Sequence, residues 1–438
     1  MGLSFTVVIN TLNRAAHLRT ALASLRHQRH RAFEVVVVNG PSTDDTEAVL
    51  ALWPDIKVAR CTEANLSMSR NIGIAMAEGD VVAFLDDDAT PEPDWLEHLE
   101  AAYAKPRVGA VGGYIRDHTG VSFQCRATVC DRFGDAKNYN SAAQAKIDPM
   151  PGDWRFFSQT GANSSFRRSA LLEVGGFDET FAYFLDETDV NVRLLDAGWK
   201  VVYAPDAEVH HKYAPSALRD HRKVPATLYM PCRSKAYFAI RHALGHVSLL
   251  TILRRLGDHA RELDGHNTYL RDHRLIDAAH FARLQDDVRR GLNDGVALAM
   301  SAQGPPLLSA DVLRAHERAR PFSAFATPLP AEERLRLVMV SGEYPPGPVG
   351  GIGVWTAAMA RTLAAKGHEV TVIARAASKH DTVDYEDGVW VHRIATRYFP
   401  DRRAPDLGDL PQSVKDRAFT VLDEVTRIAA RRGVDVVS

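Results

Sequence analysis

Three β-branched runs, FTVVI (5–9), FEVVVV (33–38) and VVAFL (81–85), are separated by segments of helical period. This alternation constrains the fold more than any other feature of the chain. The first intervening segment sets Leu18, Leu22 and Leu25 on one helical face, and the second carries Ile72, Ala75 and Met76 before stopping at Gly79. Strands with so little polar alternation are buried on both faces, so the array predicts a parallel sheet covered by helices on each side. The pattern resumes with a helix over 167–174, a Gly-Gly turn at 175–176, a helix near 187–197 and the strand KVVYA (200–204). Sheets of this kind bind ligands beyond the carboxyl ends of their strands.

One of those ends carries Asp86, Asp87 and Asp88. Adjacent like charges repel, so the triplet calls for a cation. If the strand alternation continues, Asp86 and Asp88 project to one side and Asp87 to the other. Two carboxylates on one side suit Mg²⁺ or Mn²⁺, with water and substrate phosphates completing the shell. Taken alone, the triplet is matched equally well by a solvated, proline-bounded acidic loop.

The 53 basic and 55 acidic residues of the 438-residue chain nearly cancel, which argues against a dedicated nucleic-acid binder. Cys61, Cys125, Cys130 and Cys232 are scattered and lack paired CxxC spacing, so they read as reduced thiols of a cytoplasmic protein. The N-terminus lacks the basic start and apolar run of a signal peptide. No run approaches the ~18 apolar residues of a spanning helix. Residues 235–320 read as mostly helical and rich in Arg and His. Within them, RHALGHVSLLTILRRL (241–256) is basic and amphipathic; it fits packing on the sheet domain or peripheral contact with the inner face of the cell membrane.

Pro321, Pro328 and Pro330 punctuate a linker, and a second unit follows: strand 335–341, the loop GEYPPGPVGGIG, helix 354–366 and strand 368–374. The expected divisions are 1–235, 236–325 and 326–438. The last unit ends on the strand-like GVDVVS (433–438), which predicts an incomplete doubly wound domain.

Five segments in order resemble family 2 glycosyltransferases. TVVINTLNR (6–14) is similar to that family's opening strand and nucleotide-binding turn, and VVVVNGPSTDDT (35–46) to its second strand. SMSRNIGIAMAEGD (67–80) resembles the helix leading to its DxD region, and VVAFLDDD (81–88) that region itself. The stretch TGANSSFRRSALLEVGGFDETFAYFLDETDVNVRLLDAGWKVVYAPDAEVHH (160–211) resembles its acceptor-side half. The resemblance implies a GT-A fold, a Rossmann-like mixed α/β sheet, and a metal-dependent, inverting transfer of sugar from a nucleotide-diphosphate donor to a hydroxyl of a glycan or lipid-linked acceptor. It assigns Asn10, Thr11, Leu12, Arg14, Asn39, Arg70, Asp86 and Asp87 to the nucleotide-sugar. It gives Asp86, Asp88 and His211, with His210 as alternate, to Mn²⁺ or Mg²⁺. Glu187, beside Asp186, is the implied catalytic base, favoured by a helix N-terminus that stabilises its anion. Asn39 departs from the family's usual aspartate, which opens the base preference, because an amide both donates and accepts.

The second unit, SGEYPPGPVGGIGVWTAAMARTLAAKGHEVTVIA (341–374), resembles the start of a family 4 glycosyltransferase of GT-B fold. Bacterial polysaccharide synthesis is the pathway these resemblances imply. Two competing readings are a nucleotidyltransferase, for which NTLNR lacks a basic Gly-rich triphosphate loop, and a non-catalytic glycan-binding module.

Overall fold

The computed structural model describes residues 2–216, 218–301, 303–316, 321–402 and 408–438. Residues 302 and 317–320 of the expected helical stretch therefore lie outside the described residues. Twelve strands precede the linker. They are β1 (Phe5–Thr11), β2 (Phe33–Asn39), β3 (Lys57–Arg60), β4 (Val81–Leu85), β5 (Ala89–Pro91), β6 (Val108–Arg116), β7 (Phe123–Cys125), β8 (Ala127–Asp131), β9 (Ala136–Tyr139), β10 (Arg155–Ser158), β11 (Asn163–Arg167) and β12 (Lys200–His211).

The main sheet runs β3-β2-β1-β4-β11-β6-β12-β5, with β7 hydrogen-bonded to β6. The parallel expectation holds for β3, β2, β1 and β4 and again for β6 with β12, but not for the pairs of β11, β5 and β7. Strand β11 inserts antiparallel between β4 and β6, so the sheet is mixed. The cause is the excursion through β7–β10, which returns the chain to the sheet from its opposite end.

Both faces of the parallel half are buried. Phe5, Val7 and Ile9 of β1 pack on one side with Leu18, Leu22 and Leu25 of the helix Ala15–Leu25. Val8, together with Val36, Val38, Val82 and Phe84 of β2 and β4, packs on the other side with Ile74 of the helix Leu66–Met76. Successive residues of one strand thus supply two cores, which is why these runs contain almost no polar positions. Each fully buried Leu or Val contributes about 1.5–3 kcal/mol through apolar area removed from water. Asn65 caps the second helix by accepting from Met68 N at 3.1 Å. With one helix on each face, the strand order reverses between β1 and β4, and the crevice opens above their carboxyl ends.

Beyond the sheet, helices Tyr229–Ala243, Leu249–Asp272 and Ala278–Ala299 pack together, with Tyr229–Ala243 spanning both sides of residue 235. Of the expected basic amphipathic stretch, Ile252 and Leu256 are buried among these helices while Leu244, Leu250 and Leu253 face outward. No helix among the described residues is long and apolar enough to cross a membrane. The C-terminal unit adds β13 (Arg336–Val340), β14 (Glu369–Arg375), β15 (Thr382–Glu386), β16 (Val389–Ile394) and β17 (Val436–Val437), in the order β15-β16-β14-β13-β17. All its pairs are parallel except β15 with β16.

Candidate active site

The aspartate triplet is not strand. β4 ends at Leu85, and Asp86–Asp88 form a turn closed by Ala89 N donating to Asp86 O at 3.1 Å. Strand alternation is therefore not what separates the three carboxylates; their partners are. Asp87 accepts from Thr11 Oγ1 at 2.8 Å and pairs with Arg14 Nη1 at 3.2 Å, tying the turn to the end of β1. Asp88 turns the other way. Its Oδ1 lies 3.1 Å from His211 Nε2, and its Oδ2 accepts from Ala214 N at 2.7 Å and meets Arg14 at 3.1 Å. Asp86 Oδ2 stands 3.6 Å from the same His211 nitrogen.

His211 reaches the turn because the end of β12 pairs with β5, setting His211 opposite Ala89. Its Nδ1 donates to Gln124 Oε1 at 2.9 Å, since an amide oxygen only accepts. Nε2 faces Asp86 and Asp88; burial opposes a charged ring, but the two carboxylates raise the His211 pKa, so Nε2–H donates to Asp88, and only the neutral ring would present its lone pair to a cation. Ligand atoms of Asp86, Asp88 and His211 all fall within 4.8 Å of one another. Two carboxylates and one neutral imidazole form a donor set that fits Mn²⁺, and Mg²⁺ where water supplies more oxygen. His210, the alternate, points away and bonds Glu92 Oε1 at 2.8 Å.

Charge in this corner is sharply divided. Burial pushes the Asp87 carboxyl up to about 7, opposed by Arg14. Asp88 is held well below the usual carboxylate range: burial works against this, but His211, the Ala214 amide and Arg14 together outweigh it.

Across the crevice lies the acid pair. Asp186 and Glu187 open the helix Asp186–Asp196, and the backbone entering it is left-handed at two non-glycine residues, Phe184 (φ 74°) and Leu185 (φ 66°). Such conformations cost about 1–3 kcal/mol each and persist only where surrounding structure enforces them. Arg70 is buried against the rings of Phe84 and Phe177 and pairs with both acids, meeting Glu187 Oε1 at 2.7 Å. Burial and the neighbouring Glu187 charge push the Asp186 carboxyl well above its ordinary range, and Arg70 only partly offsets them. Asp186 therefore holds a proton more readily than an ordinary carboxyl, and Glu187 is the more exposed of the two. Arg70 also feels the charge of Asp86, so the two acidic corners share one cation.

The remaining expected residues lie at the ends of β1 and β2. Asn10 donates to Ser69 Oγ at 2.5 Å, and Leu12 is exposed on the loop after β1. Asn39 accepts from Ser42 Oγ at 2.7 Å and donates to Glu47 Oε1 at 2.8 Å, which fixes the direction of its amide. Two site residues escaped the sequence reading. Gln124 left no signal, because it sits in a three-residue strand of an irregular excursion. Gly161 was visible only as part of TGAN; a Cβ there would lie 2.1 Å from Glu187 Oε1 and 2.5 Å from Arg70 Nη2.

A family model described as glycosyl transferase family 2 matches residues 6–175. An N-acetylglucosaminyl-diphospho-decaprenol L-rhamnosyltransferase of Mycobacterium tuberculosis is 31% identical over 243 residues, spanning 49% of this chain and 78% of that protein. The chain belongs to glycosyl transferase family 2. This family 2 glycosyltransferase is also 29% identical over 231 residues to a glucosyl-dolichyl phosphate glucuronosyltransferase of Haloferax volcanii, covering 48% of the chain and 69% of the relative. The O-antigen biosynthesis protein RfbC of Myxococcus xanthus is 28% identical over 327 residues, 72% of this chain and 23% of that protein.

Proposed function

We propose that residues 1–235, of GT-A type, transfer a sugar from a nucleotide-diphosphate donor to a hydroxyl of a glycan or lipid-linked acceptor in bacterial polysaccharide synthesis, with inversion at the anomeric carbon. The observation that carries this reading is the crevice itself, with Asp86, Asp88 and His211 on one side and Glu187 on Arg70 opposite. Asp86, Asp88 and His211 are the residues that would hold Mn²⁺ or Mg²⁺. Such an ion, when bound, neutralises the charge that develops on the departing diphosphate.

Asn10, Thr11, Leu12, Arg14 and Asn39 form the wall against which the nucleotide lies, with Asp86 and Asp87 toward the ribose. The Glu187 carboxylate takes the proton of the acceptor hydroxyl as its oxygen bonds the anomeric carbon. The bond from that carbon to the diphosphate breaks, and its electron pair leaves with the nucleoside diphosphate. One base and one displacement give inversion.

Two relatives are named for a diphospho-decaprenol and a dolichyl phosphate substrate, and one exposed tip of this chain suits a membrane that carries an acceptor of that kind. Leu244, Leu250 and Leu253 are 47%, 58% and 41% exposed beside the exposed Arg241 and Arg254, and no acid occurs from 241 to 257. This is the arrangement of an interfacial anchor on anionic lipid, so the protein is read as cytoplasmic and peripheral to the inner face of the membrane. Residues 236–325 are its helical extension, and 326–438 are read as the first part of a GT-B domain of family 4, on the parallel run β16-β14-β13-β17 and the Gly350–Gly351 start of the helix Gly351–Ala365.

A panel of nucleotide-sugars, scored by released nucleoside diphosphate with and without Mn²⁺, tests the reading. Release from one donor class that depends on Mn²⁺ and on Asp88 supports it. Metal-independent release, or none from any donor, contradicts it.

A further inference from the structure

His211 is one residue between two that belong to a different interface. Strand alternation aims His211 at Asp86 and Asp88 and turns its neighbours outward, toward the C-terminal unit. His210 packs against Trp390, ring centroids 4.8 Å apart and planes tilted by 57°. Its Nε2 bonds Glu92, which Arg432 clamps through Nε at 2.7 Å and Nη2 at 2.9 Å. Arg432 lies over the Trp390 ring at 3.9 Å and bonds His392 Nε2 at 3.0 Å. On the other side, Lys212 forms an ion pair with Asp384 of β15, while its backbone N donates to Asp88 O at 3.0 Å.

The partner that orients the imidazole is held from the same side. Gln124 lies on β7, the return arm of the hairpin from β6. The tip of that hairpin is bonded to β15 by Val383 N donating to Thr119 O at 2.8 Å. At Gly120 (φ +70°) the two backbones are so close that a Cβ would lie 2.1 Å from Val383 O.

Three grips from one unit therefore converge on one side chain: on residue 210, on residue 212 and on the hairpin carrying Gln124. We propose that the C-terminal unit is a positioning element of the first active site, holding His211 at the angle from which Nε2 faces Asp86 and Asp88. Trp390 and Asp384 are positioning residues in this sense, acting through His210 and Lys212. The inference rests on the assignment of Asp86, Asp88 and His211 to a divalent cation. It goes beyond that assignment by giving residues 326–438 a task in the first domain's site, whatever else they do.

The test uses the full chain and Mn²⁺ alone, with free Mn²⁺ read by electron paramagnetic resonance and folding read by thermal melting. Supporting residues of this kind typically change metal affinity 10–100-fold. Asp384→Asn and Trp390→Ala should each weaken Mn²⁺ binding by about tenfold or more, with Trp390→Phe restoring most of it. Their KM for donor should rise more than kcat falls. Should Trp390→Ala fail to fold, Lys212→Met tests the Asp384 grip from the catalytic side without touching Trp390. His211→Ala separates the two layers. If the parent binds no Mn²⁺, or His211→Ala binds it equally well, the metal assignment falls and the positioning role with it. If His211→Ala abolishes binding while the folded interface variants bind as the parent does, only the positioning role is overturned.

Discussion

Glu187 Oε1 meets Arg70 Nη2 at 2.7 Å directly above Gly161, whose α-carbon leaves no room for a side chain. The proposed base is thus set by a cation on the helix Leu66–Met76 and by a glycine just before β11, not by its own helix alone. Gly161→Ala should therefore push Glu187 or Arg70 aside. Release of nucleotide should fall at least tenfold while the melting temperature moves by only a few degrees. Full activity in this variant would show that the Glu187–Arg70 contact is not what the reaction uses.

Replacing Arg70 tests the sharing of charge. Arg70→Met keeps the apolar packing on Phe84 and Phe177 but leaves Asp186 and Glu187 buried without their cation. Breaking a buried pair from one side costs about 3–5 kcal/mol. Denaturant unfolding should show a loss of that order, and Arg70→Met combined with Asp186→Leu should recover part of it. A stability equal to the parent's in the single variant would contradict the buried pairing.

Stability should fall on acidification through two histidines the chemistry does not use. His27 is lowered to about 3 by burial and by Arg334, and His392 to about 4, where burial and Arg432 outweigh Glu424. An unfolded histidine takes up its proton near pH 6.5, whereas these two stay neutral in the fold. The unfolded state then binds more protons, and stability drops as pH falls from about 6.5 toward 4. Each group contributes up to about 1.4 kcal/mol per pH unit over that range. Melting temperatures from pH 7.5 to 5 should decline, and His27→Phe should flatten part of the slope. A flat profile in the parent would count against both assignments.

The membrane tip is checked by flotation with vesicles. The protein should float with phosphatidylglycerol-containing vesicles and not with phosphatidylcholine alone, and Leu250→Asp with Leu253→Asp should release it. Equal flotation of parent and double variant would remove the tip from the account.

Much of the fold was legible because local pattern and burial coincide in it. β1, β2 and β4 are runs whose apolar residues each pack on one of two cores, and the two helices between them carry their own apolar stripes. The insertion of β11 was not legible, since its neighbours β4 and β6 are chosen by a long excursion rather than by its own five residues. At the site, the triplet was visible as unpaired charge, but its split was attributed to strand alternation. The structure assigns it to Thr11, Arg14 and His211, partners on other elements. The ties of Arg70 to Asp186 and Glu187, more than a hundred residues away, are not legible in its own helix. Nothing in the sequence pairs Glu92 with Arg432; docking of the C-terminal unit makes them a buried pair.

The central claim is that a metal-binding corner and the Glu187 carboxylate act on one donor and acceptor. Nucleoside diphosphate release from the best donor, with saturating Mn²⁺ and acceptor, measures it most directly when Glu187→Gln and Asp88→Asn are set beside the parent. The account predicts that Glu187→Gln lowers kcat by about 10²–10⁴-fold with donor and Mn²⁺ binding retained, and that Asp88→Asn loses Mn²⁺ binding along with activity. Turnover within twofold of the parent in either variant would contradict it.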